Sequence, residues 1–128
     1  MARNTVGVAV LAASLLAAGS VPSWAVEMEA GGTSATSSST SGRATFHHYG
    51  DKIEVCDTET DGINVYGVYR YYKTSASYIE GRHDQTRGSG SCDTWDHDFI
   101  EGSTVLIREC DNLPYFPDGC LPWKNGVA

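Results

Sequence analysis

The chain has 128 residues, 9 Lys+Arg against 16 Asp+Glu, and a formal net charge of −7. A field of that sign repels phosphate backbones and anionic lipid, which argues against nucleic acid and membrane surfaces as partners. The length allows one small domain, whose hydrophobic core is marginal without covalent help.

Residues Met1–Ala25 carry the pattern of a secretory signal peptide. Arg3 supplies the positive start, Val6–Ala18 is a compact apolar run, and Ser23-Trp24-Ala25 offers small residues three and one before a cut after Ala25. The run is shorter than the roughly 20 residues a bilayer span needs, so an exported, extracellular product without a membrane anchor is expected. Cleavage would leave a net charge of 8 − 16 = −8. Residues 26–43 come next, and Gly31–Gly42 among them is almost wholly Ser, Thr, Gly and Ala. Such a stretch buries too little apolar surface to offset its chain entropy, so a flexible segment is expected, either a spacer or an arm that orders on a partner. The ordered domain is then Ala44–Ala128.

Its centre is Lys52–Tyr72, which reads as a hairpin: strand Lys52–Cys56, acidic turn Asp57–Gly62, strand Ile63–Tyr72. Asp61-Gly62 between runs rich in Val, Ile and Tyr is a strong turn signal. On the long strand Val65, Gly67, Tyr69 and Tyr71 point one way, and Tyr66, Val68, Arg70 and Tyr72 the other. Both faces are apolar or aromatic, so the strand belongs inside a sheet covered on both sides. Ser77–Glu80 continues the sheet, Gly81–Ser91 reads as an exposed loop, and Cys92–Phe99 forms a strand with Trp95, His97 and Phe99 on one face. Glu101-Gly102 turns the chain into Ser103–Cys110, and a last extended piece carries Trp123. Nothing sustains a helical period. The expected class is all-β, a small antiparallel β-sandwich stapled by two disulfides.

Four cysteines in an exported chain, Cys56, Cys92, Cys110 and Cys120, imply two disulfides, and no close Cys-x2-Cys spacing supports zinc. Three pairings are open. Cys110–Cys120 is favoured because the loop between them, with Pro114 and Pro117, can double back, which leaves Cys56–Cys92.

Signals for chemistry are weak. Asp57-x-Glu59-x-Asp61-Gly62 resembles the start of a calcium loop, but position twelve, which should supply a bidentate Glu, is Val68. Asp96-His97-Asp98 and His47-His48 diverge if extended, so no metal and no cofactor are expected. Glu80, Arg82, Arg87 and His97 occur in an order a ribonuclease could use, without the spacing or charge of one. No catalytic residues are assigned and an enzyme is not expected. Tyr115-Phe116, flanked by prolines on a loop closed by a disulfide, is the best candidate for a preorganised contact, the alternative being that the loop packs inward, with Tyr69-Arg70-Tyr71 as a second contact.

Gly50-Asp51, Val55-Cys56-Asp57, Asp61-Gly62, Cys92, Glu101-Gly102, Cys110, Cys120 and the Trp123…Gly126-Val127-Ala128 ending together resemble small secreted actinobacterial proteins, and within them the adaptor subunit of umbrella toxin particles. The resemblance covers nearly all of Ala44–Ala128. It implies a disulfide-bonded adaptor that joins a lectin-like subunit to the repeats of a large toxin chain, partly through an extended N-terminal segment. It carries no particular binding residues across. The expected function is therefore a non-enzymatic module that binds protein partners outside the cell. The rival is an inhibitor of a secreted amylase or protease, for which Tyr69-Arg70-Tyr71 only loosely echoes the Trp-Arg-Tyr contact motif of the amylase inhibitors.

Overall fold

The computed structural model describes residues 31–128, and among them all regular structure is extended. The strands are β1 (Ala35–Ser38), β2 (Gly42–His47), β3 (Lys52–Asp57), β4 (Asn64–Thr74), β5 (Ser77–Gln85), β6 (Ser91–Asp96), β7 (Thr104–Asn112), β8 (Gly119–Cys120) and β9 (Lys124–Val127). They form a four-stranded sheet in the order β1-β2-β3-β6 and a five-stranded sheet in the order β5-β4-β7-β8, with β9 on the same edge of β7 as β8. Every pairing is antiparallel. The expected sandwich is what forms. Met1–Ala25, read as a signal peptide, lies outside the described residues.

The core between the sheets follows from alternation along β4. Val65 and Tyr71 point inward and meet Ala44, Phe46, Ile53, Val55, Phe99, Val105 and Ile107, with Tyr69 half-buried at the margin. Gly67 shares that face, where a Cβ would stand 3.0 Å from both the Ala44 Cβ and the Val55 Cγ2, so glycine lets the sheets close. Tyr66 and Val68 point outward and pack with Cys110 beneath Trp123. Both faces of β4 are covered, as its composition demands.

The disulfides are Cys56–Cys92 and Cys110–Cys120, the favoured pairing. Each joins directly opposed residues, the first on β3 and β6 and the second on β7 and β8. Two such bonds fit an oxidising compartment. Among the described residues no helix is long and apolar enough to cross a membrane.

Three expectations are corrected. Lys52–Tyr72 is not a hairpin, because β3 pairs with β2 and β6 while β4 pairs with β5 and β7. The acidic turn instead carries the chain from one sheet to the other. Asp57 Oδ1 accepts the Glu59 N–H and Asp61 Oδ1 accepts the Ile63 N–H, two consecutive side-chain turns in which the aspartates serve the backbone. Gly62 lies in this turn with a positive φ of 73°, a conformation glycine takes without strain.

Gly31–Gly42 is not a tether. It holds β1 and the start of β2, and the Thr33–Val127 bridge ties it to β9 across the sandwich seam. The buried face of β1 carries only small side chains: Ala35 packs against the core, and Ser37 is wholly buried with its Oγ accepting the Glu109 N–H. Finally, Gly81–Ser91 is not all loop, since β5 runs on to Gln85. Gly81 keeps the strand regular because Tyr69 lies against it where any side chain would go.

Candidate binding face

The outward side of the five-stranded sheet is built by register. Val68 stands opposite Arg82 on β5 and Arg108 on β7, Arg70 opposite Glu80 and Leu106, and Tyr66 opposite Asp84 and Cys110. These side chains share one face because every second residue of each strand does. The result is a ladder of guanidinium groups and aromatic rings. Arg82 lies 3.5 Å from the centre of the Tyr66 ring and Arg70 4.5 Å from that of Tyr78. Trp123 receives both Arg70, at 4.8 Å, and Arg108, at 4.2 Å. Stacking of this kind fixes long arginines in place, so less entropy is lost when a partner arrives.

Carboxylates complete the ladder. Arg82 grips Asp84 through Nε and Nη2 at 2.7 and 2.8 Å, and Arg70 Nε donates to Glu80 at 2.8 Å. The hydrogen bond from Arg82 holds the Asp84 carboxyl below its ordinary range. Tyr66 Oη donates to Asp118, and burial together with that bond pushes the Tyr66 hydroxyl up to about 12. Asp118 also accepts the Leu113 N–H at 3.2 Å, so one carboxylate ties the proline loop to the sheet.

That loop presents Tyr115 and Phe116, 90% and 72% exposed. Two large apolar side chains held in water by a cystine at Cys110–Cys120 and by Asp118 are what a preorganised contact requires. Replacing both Cys110 and Cys120 by Ser is expected to cost about 3 kcal/mol from loop entropy. Amide exchange over 112–119 should rise with the fall in melting temperature, and an unchanged exchange rate would show that the cystine does not brace the loop.

Tyr69-Arg70-Tyr71 does not form the second contact. Tyr71 is buried, with its Oη accepting the Ile100 N–H, and Tyr69 turns into the core margin, so only Arg70 of the three faces out. The structure does not bring Glu80, Arg82, Arg87 and His97 together. Glu80 and Arg82 belong to the outer face, Arg87 pairs with Asp93, and His97 lies on the inner side of the sandwich edge.

His97 meets a residue that sequence reasoning missed. Its Nε2 lies 2.9 Å from Nε2 of His83, between β5 and the segment after β6, so one shared proton bridges the two sheets. His83 stacks on Trp95 at 4.3 Å and His97 on Phe99 at 5.0 Å. Burial lowers the pKa of both imidazoles; the charge of His97 lowers that of His83 further, while Asp84 opposes the shift at His83 and Asp51 and Asp96 oppose it at His97. Both rings are therefore kept neutral at pH 7, a clasp across an open sandwich edge. In the acidic turn Asp57 and Asp61 serve backbone N–H groups and Glu59 accepts the Ser41 hydroxyl, and Glu54 lies near two sulfurs already joined to each other.

The stacking of Arg108 on Trp123 also escaped the sequence reading, because the contact crosses 15 positions with no local pattern to signal it. Set against known protein families, curated proteins and solved structures, the chain matches none.

Proposed function

We propose that the protein is a secreted, non-enzymatic binding module whose contact surface is the outer side of the five-stranded sheet together with the Tyr115-Phe116 loop. The observation that carries this reading is the exposure of Tyr115 and Phe116 on a covalently closed loop beside stacked Arg, Tyr and Trp side chains. Aromatic residues and arginine dominate the energetics of protein interfaces, and rigid ones lose least entropy on association. The specific form is an adaptor in an extracellular assembly of the umbrella-toxin kind, as the resemblance implies. A second reading, an inhibitor of a secreted amylase or protease, draws on the same rigid loop between Pro114 and Pro117.

One experiment tests the reading and separates its two forms. Tagged protein is used to recover partners from the culture medium of the producing strain, alongside the Tyr115→Ser/Phe116→Ser variant. The double change is expected to weaken capture by about 30-fold or more, the scale of one lost interface hot spot, with the melting temperature unchanged. An adaptor brings down much larger chains, whereas an inhibitor blocks an amylase or protease at near-stoichiometric amounts. Undiminished capture by the variant would overturn the proposed surface.

A further inference from the structure

We infer that the cleft above Val68 is a receptor for carboxylate groups, and that the partner element it takes is an acidic peptide segment. The inference rests on the binding reading above and gives the partner a chemistry. The cleft has a volume of about 380 Å³ and is lined by Tyr66, Val68, Glu80, Gly81, Arg82 and Arg108 among others. Because Arg82 and Arg108 both stand opposite Val68 on neighbouring strands, their backbones lie about 10 Å apart with only the Val68 side chain between them. Two guanidinium groups thus rise on either side of an apolar floor.

They are differently committed. Arg82 is already held by Asp84. Arg108 makes no ion pair among the described residues, and its Nε is buried without a hydrogen-bond partner. The Trp123 ring beside it attracts the positive charge but offers no acceptor oxygen. The carboxylates around it are engaged elsewhere: Glu80 with Arg70, Asp84 with Arg82, and Asp118 with Tyr66 and the loop backbone. Unmatched donors on a half-buried guanidinium are costly, and a carboxylate matches that fork geometry with two parallel bonds. Among the described residues no carboxylate is left for Arg108, and an anion entering the cleft supplies one. A peptide carboxylate suits the cleft better than a phosphate, since the aliphatic stem of an Asp or Glu can lie on the apolar Val68 floor while its carboxylate meets the guanidinium groups beside it.

The test is a nuclear magnetic resonance titration of the ¹⁵N-labelled protein with a hexaglutamate peptide in about 0.15 M salt, which screens the net repulsion between two anionic molecules, with hexaglutamine as the neutral control. Hexaglutamate should shift the Arg108 side-chain and Trp123 indole N–H resonances saturably, and hexaglutamine should leave them in place. Arg108→Gln should weaken the binding at least about tenfold, with Arg108→Lys falling between, since lysine keeps the charge and loses the fork. Both variants are checked for an unchanged melting temperature, and the lysine variant serves if glutamine disturbs the fold. Equal shifts from hexaglutamine, silent resonances, or displacement of hexaglutamate by a lower concentration of inorganic phosphate would each overturn the inference. If hexaglutamate fails while the Tyr115/Phe116 variant still loses its partner, the carboxylate receptor falls and the binding face stands. If hexaglutamate binds and partner capture ignores Tyr115 and Phe116, the receptor stands and the wider reading falls.

Discussion

A variant that begins at Arg43 is expected to lose cooperative folding, with no thermal transition and a far-ultraviolet spectrum short of β-structure. Removing β1 strips β2 of its outer neighbour and opens the seam closed by the paired Thr33 and Val127 backbone bonds. It also removes Ser37, which accepts the buried Glu109 N–H at 2.9 Å, and Ser39, whose hydroxyl donates to Glu109 Oε1 at 3.1 Å. Ser41, which donates to Asp111 at 3.1 Å, goes with them. Each hydrogen bond contributes about 1 kcal/mol net, and each buried group left unmatched costs about 1–3 kcal/mol more. The sum is about 5 kcal/mol or above, comparable with the whole stability of a small domain. Ser37→Ala isolates the buried contact and should cost about 1–2 kcal/mol, seen as a lower denaturation midpoint with unchanged slope. A normal melt from the variant that begins at Arg43 would show that β1 is dispensable.

The second large effect is on pH. Glu109 is wholly buried, and its Oε2 has no hydrogen-bond partner; burial, with the adjacent Asp111 carboxyl adding to it, pushes its pKa up to about 8. Its ordinary value is 4.5, so between those values the folded protein holds a proton that the unfolded chain has released. Stability therefore falls as pH rises through this window. His83 and His97 work the other way. Their folded pKa values lie below the ordinary 6.5, so the unfolded chain takes up protons first and stability falls as pH drops below about 6.5. The two effects oppose each other from 6.5 down to the lowered pKa values of the two histidines. From pH 6.5 to 8 only Glu109 acts, and the loss should be about 1–2 kcal/mol. Urea denaturation of Glu109→Gln should show no such alkaline loss and an uncovered decline below pH 6.5. The same alkaline loss in both proteins would remove Glu109 as its source.

How far the residues announced the fold depended on where their partners lay. β4 and β7 were legible because their alternation is apolar on faces that are in fact buried. The cystine at Cys110–Cys120 was legible because prolines and a short spacing confine it locally, whereas the exposure of Tyr115 and Phe116 was not, since a loop packed inward has the same residues. What escaped depended on distant contacts. The acidic turn shows that the chain changes direction, but not that it enters the other sheet. β1 looked like linker because its buried side is only Ala35 and Ser37, and the partner of Ser37 on β7 lies 72 positions away. β5 is an edge strand with polar side chains on both faces, interrupted by Gly81, and so carries no alternating apolar signal. His83 with His97, and Arg108 with Trp123, meet only through tertiary structure. Tyr69-Arg70-Tyr71 misled for the opposite reason: the alternation that places Arg70 outside sends both tyrosines in.

The most direct measurement is a radical footprint of the full chain bound to the partner it captures, read by mass spectrometry residue by residue. Protection should fall on Tyr115, Phe116, Tyr78 and Trp123, with the outward residues of the four-stranded sheet as reactive as in the unbound protein. Protection of Tyr49 and the outer side of β2 and β3, with Tyr115 and Phe116 still fully oxidised, would place the contact on the other sheet and contradict the proposal.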